Sequence, residues 1–264
     1  MTCPNCGNQH TGQFCNVCGQ RNVDRHLPLG SLITEVAEET LGLDSRVRHT
    51  LLPFFFKPGE VTRDYLSGRR ARYTSPLKMY LVAAAIFFFA FTLHPHQRVV
   101  QIDPKDRAAL ADDPAKDSRF EHLMKDQARK LDKMDKDEGT KQLAANMASM
   151  LPKALIVLLP IFALLLKLFW HKRFYAEHMV FALHYHAFAL VLLALPGFIP
   201  GKPGDDATGA AILICLIYLF MALRRVYGGG RWPTFAKLLG LSSLYTFALG
   251  IGLAGAGLLS LVFL

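Results

Sequence analysis

Apolar and polar positions alternate in long blocks from residue 77 to the end of the sequence. A helix needs about 20 mainly apolar residues to cross the roughly 30 Å of bilayer hydrocarbon. Five blocks approach that length, and they cover residues 77–93, 151–170, 179–199, 210–223 and 236–264. The first and fourth blocks are short and would need flanking residues. The pattern predicts a mainly α-helical, polytopic membrane protein with about five spans in a transmembrane domain at 77–264.

Basic residues cluster at alternate borders of these blocks. Positively charged loops favour the cytosolic side, so the clusters predict a cytosolic N-terminus and an extracytoplasmic C-terminus. The charged segment 94–150 would then form an extracytoplasmic loop, in which we expect helices. We also expect the first cluster to contact lipid headgroups. The clusters are Arg69, Arg70, Arg72 and Lys78, then His171, Lys172 and Arg173, and finally Arg224, Arg225, Arg231 and Lys237.

Composition agrees with a membrane location, because 52% of the residues are hydrophobic and the mean hydropathy is +0.23. The net charge is +9, yet residues 101–150 carry ten Lys/Arg against eleven Asp/Glu. The basic excess therefore lies beside the predicted spans, where topology and anionic lipid explain it. Binding to nucleic acid is not needed to account for the charge.

Four cysteines near the N-terminus, Cys3, Cys6, Cys15 and Cys18, form two CxxC pairs, and each pair is followed by glycine. Two thiolates at this spacing can bind one ion from a tight turn, and four suit tetrahedral Zn²⁺. The alternatives are two disulfides or a redox CxxC pair. Disulfides require an oxidising compartment, whereas the charge pattern predicts the cytosol. We predict a ribbon at 1–20 that binds one structural Zn²⁺, and metal binding would stabilise a fold too small for a core.

Residues 21–76 are predicted to form a cytosolic linker, an amphipathic helix and a juxtamembrane motif. Apolar residues recur at helical spacing between 29 and 43, with glutamates on the opposite side. The apolar run 51–56 is too short to cross a membrane, and Pro53 is expected to interrupt it. The following Lys57-Pro58-Gly59 predicts a turn. We interpret this region as a re-entrant or interfacial wedge.

The juxtamembrane motif carries a resemblance to a known family. It rests on Leu43-Asp44-Ser45-Arg46, Lys57-Pro58-Gly59, Gly68-Arg69-Arg70-Ala71-Arg72-Tyr73 and Pro76-Leu77-Lys78-Met79-Tyr80. These motifs resemble those of bacterial membrane proteins grouped as domain of unknown function 3667, which join a CxxC…CxxC ribbon to several spans. The resemblance implies a bacterial inner-membrane protein of unassigned activity, and it supplies no catalytic residue.

His184 and His186 in the third block, together with His178 directly before it, form a candidate intramembrane polar site. Ionisable side chains are costly in a membrane and therefore suggest function. On a helix, His184 and His186 point about 200° apart and cannot bind the same ion, whereas His178 and His186 lie about 80° apart. Three interpretations stay open: hydrogen bonds between helices, a proton or substrate pathway, and a metal site.

The features together suit functions from different classes. The first hypothesis is a scaffold or regulator whose cytosolic zinc ribbon contacts a protein partner. The alternative is a small oligomeric transporter or channel that uses the third-span histidines. An intramembrane enzyme acting on lipid has less support, because the sequence contains no HExxH, GxSxG or nucleotide-binding glycine motif. The expected partners are membrane lipid, a cytosolic or membrane protein and, in the alternative, further copies of the chain.

Overall fold

A computed structural model describes residues 1–20, 45–93, 154–198 and 205–262. The predicted amphipathic helix at 29–43 and the charged loop at 101–150 lie outside the described residues. The chain divides into two compact units. The first contains Met1–His94 and Leu159–Leu244, and the second contains Pro95–Leu158 and Tyr245–Leu264. The described part of the second unit is helical.

The described part of the chain is mainly α-helical and has no strand, apart from an isolated bridge between Thr2 and Gln9. A short 3-10 turn at Leu195–Phe198 follows the fifth helix. The helices are α1 (Ser45–Phe56), α2 (Glu60–Leu66), α3 (Pro76–Leu93), α4 (Ala154–Phe169), α5 (Tyr175–Ala194), α6 (Asp205–Tyr227) and α7 (Arg231–Val262).

Three of these helices are long and apolar enough to cross a membrane. The qualifying segments are Tyr175–Ala194, Ala207–Tyr227 and Arg231–Gly252. Two shorter apolar helices, Pro76–Ala90 and Ala154–Phe169, correspond to the first two predicted spans. The described part of the chain therefore has three candidate spanning helices, and the count of five stays a prediction.

Helix α5 is the central helix of the first unit. It packs against α3, α6 and α2. Most of its apolar segment, 61%, is buried, against 33% for α6. The outer face of α6 instead exposes aliphatic side chains, and a lipid-facing helix requires such a surface. They include Ile212, Leu213, Ile217 and Met221.

The ends of the spans differ from the predicted ones for local reasons. Helix α5 starts four residues earlier than predicted, after Phe174 in an extended conformation. It ends at Ala194, just before the 3-10 turn that contains Pro196. Helix α6 begins at Asp205, five residues before the predicted start of the fourth span at residue 210. Helix α7 runs unbroken from Arg231 through its glycines to Val262.

The predicted wedge is a helical hairpin made of α1, the turn at residues 57–59 and α2. Pro53 does not interrupt α1, which continues to Phe56. A proline removes one hydrogen bond of a helix, and here only the last turn follows it. The hydroxyl of Tyr218 donates to the carbonyl oxygen of Phe54 at 2.7 Å, so α6 satisfies a carbonyl at this helix end.

The turn of the hairpin packs directly on α6. Gly59 has φ of 76°, and a Cβ atom there would lie 2.9 Å from the Cα and carbonyl oxygen of Ala222. Arg225 donates from Nη1 to the carbonyl oxygen of Pro58 at 2.9 Å. Glycine is thus required at this position for both conformation and space.

Candidate functional site: the cysteine cluster and the arginine loop

The four ribbon cysteines lie together in the structure. Their Sγ atoms are all within 4.8 Å of one another, and the Cys3–Cys18 and Cys6–Cys15 pairs are each 3.6 Å apart. These distances are too long for a disulfide bond, which is about 2.0 Å. They approach the spacing of about 3.8 Å between thiolates around a tetrahedral ion at 2.3 Å. The cluster can therefore hold a metal ion.

The two cysteine turns have the same backbone pattern. In the first, Cys3 N donates to Asn8 O and Gly7 N donates to Cys3 O. In the second, Cys15 N donates to Gln20 O and Gly19 N donates to Cys15 O. Both glycines have positive φ, 77° and 67°, which explains their place after each CxxC pair.

Backbone groups of the second turn favour a thiolate at Cys15. The N–H groups of Cys18 and Val17 point at Cys15 and lower the pKa of its thiol to about 6. A thiolate is the form that binds metal. His10 is not part of the cluster, because its Nδ1 contacts the carbonyl oxygen of Gly12 at 3.1 Å. Among the described residues, the cysteines form the one group of three or more metal-ligating side chains.

The ribbon is attached to residues 67–75, which we call the arginine loop. The side chain of Gln20 donates from Nε2 to Gly68 O at 2.7 Å. Its Oε1 accepts from the backbone N–H groups of Arg70 and Ala71, each at 3.2 Å. Gln20 is only 9% exposed, so the three hydrogen bonds are shielded from water.

A second contact joins the same two segments. Gly68 has φ of 94°, and a Cβ atom there would lie 3.2 Å from Cβ of Pro4. Pro4 lies between the first two cysteines, and Gln20 lies just beyond the last. The ribbon therefore contacts the arginine loop through both of its cysteine turns.

Asp64 organises the arginine loop from α2. Its carboxylate is buried and accepts from Nη2 of Arg69 at 2.7 Å and from the hydroxyl of Tyr73 at 2.9 Å. Arg63 lies 3.5 Å from the same carboxylate. Burial, and then the hydrogen bond to this carboxylate, raise the pKa of Tyr73 to about 12. The buried charge is thus paired, as its burial requires.

The predicted headgroup cluster has mixed surroundings. Arg69 is paired with Asp64, and Arg70 lies over the ring of Tyr65 with its Cζ 5.2 Å from the centroid. Arg72 lies over the Tyr73 ring at the same distance, and its side chain is exposed. Lys78 is half-buried at the start of α3. Lipid contact by Arg69, Arg70, Arg72 and Lys78 stays a prediction.

The three histidines of α5 contact three different neighbours. His184 is buried and its Nδ1 lies 3.0 Å from Oγ1 of Thr62 on α2. His178 Nδ1 lies 2.8 Å from the hydroxyl of Tyr227 on α6. His186 Nδ1 lies 2.8 Å from Ala182 O.

The surroundings of these imidazoles are mainly aromatic. The His178 ring stacks on Tyr227 at 5.4 Å between centroids, and the His186 ring meets the edge of Phe162 at 5.0 Å. His184 faces Phe54 and Tyr65. Hydrogen bonds between helices, a proton or substrate pathway and a metal site all stay hypotheses for His178, His184 and His186.

Comparison with known proteins adds one match. Residues 44–88 match the family model described as "Protein of unknown function (DUF3667)". The matched segment contains the helical hairpin, the arginine loop and most of α3. No curated protein and no solved structure matches the chain. The resemblance seen in the juxtamembrane motif is thus supported, while the ribbon lies outside the matched residues.

Several residues that build the site carry no local signal in the sequence. Gln20 and Asp64 act through partners that the fold supplies, and neither belongs to a metal or catalytic motif. Thr62 lies 122 positions from His184. The arginine motif at 68–73 indicated a juxtamembrane segment. Nothing in its spacing indicated that the ribbon would contact it.

Proposed function

We propose that the chain is a multi-pass protein of the bacterial inner membrane, with a cytosolic N-terminus and an extracytoplasmic C-terminus. The three long apolar helices support insertion in a membrane, and α3 and α4 supply two further spans when flanking residues are included. The alternation of basic borders supports the orientation. The family match at residues 44–88 supports a class whose function is unassigned.

We further propose that the ribbon binds one structural Zn²⁺ through Cys3, Cys6, Cys15 and Cys18. Four thiolates in a closed cluster are a donor set that zinc prefers, with no open position for substrate. The observation that carries the proposal is the convergence of the four Sγ atoms within 4.8 Å. Metal binding supplies folding free energy that so small a segment cannot obtain from a core.

The function that fits this arrangement best is a scaffold or regulator whose ribbon contacts a protein partner. The ribbon uses Pro4 and Gln20 on the arginine loop, while Phe14 and Val17 remain 58% and 66% exposed. Large apolar side chains exposed on a small polar fold favour contact with protein. The exposed Arg72 of the loop supplies a contact to anionic lipid headgroups.

Photocrosslinking in native membranes tests the partner. A photoreactive phenylalanine at Phe14 should give a discrete adduct with another protein. A matched probe at Trp232, which is 82% exposed outside the ribbon, should not give that adduct. The adduct should disappear when the four ribbon cysteines are changed to serine, because the ribbon unfolds. The same adduct in the serine variant, or none from Phe14, would contradict the scaffold proposal.

The transport alternative gains no support from the contacts of α5. A conducting path through the histidines requires that they face one route, and their ring nitrogens contact α2, α6 and α5 itself. Replacing His184 and His186 together by Asn would abolish flux on the transport hypothesis. Structural histidines predict a loss of stability instead.

A further inference from the structure

Gln20 belongs to both the ribbon and the loop contact. Its backbone carbonyl accepts from Cys15 N at 2.9 Å and so closes the second cysteine turn. Its side chain makes the three hydrogen bonds to Gly68, Arg70 and Ala71. The conformation of the cysteine turn therefore fixes the position of the amide that holds the loop.

The loop depends on this amide for backbone pairing. The N–H of Ala71 donates to Gln20 Oε1 on the ribbon. The N–H of Arg69 instead donates to the carbonyl oxygen of Asp64 on α2, at 3.0 Å. Gly68 has a left-handed φ that lets its carbonyl face the ribbon. Loss of the Gln20 side chain thus removes the acceptor of the Ala71 N–H. The Gly68 carbonyl keeps the N–H of Arg70 at 3.1 Å, and the Arg69 N–H keeps Asp64 O.

We infer that metal binding by the ribbon controls the conformation of the arginine loop, and that Gln20 transmits the metal state to the loop backbone. This inference rests on the proposed metal binding. Without metal the cysteine turns lose the free energy that folds them, so Gln20 and Pro4 leave the loop together. The loop begins at Ser67, directly after α2, and ends at Ser75, directly before α3. Its release therefore changes the junction between the helical hairpin and the membrane helices.

Hydrogen exchange of the full chain in detergent, read by mass spectrometry at residue resolution, tests the inference. Replacing Gln20→Ala should speed exchange at Ala71 by about tenfold, because a buried hydrogen bond is lost. Gln13→Ala is the matched control, since Gln13 is an exposed glutamine of the same ribbon, and it should leave the rate unchanged. Exchange at Arg69 should change little in either variant.

Metal removal is the second part of the hydrogen-exchange experiment. Chelation of the wild-type protein, with metal content measured beside exchange, should raise the Ala71 rate as much as Gln20→Ala does. Gly68→Ala disturbs the contact from the loop side, because the new Cβ meets Pro4, and it should raise the same rate while metal is retained.

The outcomes separate the two proposals. If chelation removes the metal and the Ala71 rate does not change, the coupling is wrong while metal binding by the ribbon stands. An unchanged rate in Gln20→Ala with metal bound would also overturn the coupling. A full-length wild type that takes up no metal would overturn both the proposed zinc site and its control of the loop.

Discussion

The turn between α1 and α2 offers a sharp test of how the hairpin packs. Replacing Gly59→Ala places a Cβ atom 2.9 Å from the backbone of Ala222 on α6, in a residue with φ of 76°. The left-handed conformation costs a residue with a side chain about 1–2 kcal/mol. Forcing an atom into a packed backbone contact adds about 1–3 kcal/mol. We therefore expect a total loss of stability of about 2–5 kcal/mol.

Gly228 separates the two costs. Its φ is 72°, close to that of Gly59, but a Cβ atom there would meet nothing within 4 Å. Gly228→Ala should cost only the conformational part, about 1–2 kcal/mol. Because the atoms near Gly59 belong to the backbone of Ala222, changing Ala222→Gly should not rescue Gly59→Ala.

Thermal stability in detergent measures the difference. The assay follows the temperature at which half of the protein leaves the monodisperse peak in size-exclusion chromatography. A loss of 1 kcal/mol lowers a melting temperature by about 2–4 °C for chains near this length. Gly59→Ala should therefore melt several degrees below Gly228→Ala. Equal melting temperatures for the two variants would refute the packing of the hairpin turn on α6.

Three further predictions concern the neighbouring contacts and the topology. Thr62→Val and His184→Ala should show a coupling of about 1 kcal/mol in a double-mutant cycle of stability, whereas Thr62→Val with His186→Ala should be additive. The folded pKa of Tyr73, about 12, lies above its ordinary value of 10, so its contribution is complete below pH 10 and is lost between pH 10 and 12. Tyr73→Phe should be less stable near neutral pH, because Asp64 loses a donor, but its melting temperature should fall less than the wild type's between pH 10 and 12. A C-terminal reporter that folds only in an oxidising compartment should be active, and an inactive C-terminal fusion beside an active N-terminal one would reverse the proposed orientation.

Local and periodic features of the fold were predictable from the sequence. The CxxC spacing placed four thiolates in one cluster because each pair lies within a single turn. Apolar run length identified α5, α6 and α7, because hydrocarbon thickness sets the length of a spanning helix. The turn at Lys57-Pro58-Gly59 was also predicted, and it joins the two helices of the hairpin.

Contacts between distant segments were not predictable in the same way. Gln20 meets Gly68 across 48 positions, and Tyr218 meets Phe54 across 164. No periodicity relates such residues, since their approach depends on how whole elements pack. At Pro53, by contrast, a prediction made from local sequence was wrong. Its local preference predicted a break, but α1 continues through it and α6 satisfies the carbonyl of Phe54.

Metal content per chain shows whether the N-terminal cysteines form one metal site. The detergent-purified wild type should contain one zinc ion per chain, and the variant with Ser at Cys3, Cys6, Cys15 and Cys18 should contain none. Cys215→Ser is the matched control, because this buried cysteine lies on α6, outside the ribbon, and it should retain one ion. A wild type without zinc, or zinc retained by the fourfold serine variant, would contradict a zinc site at these four cysteines.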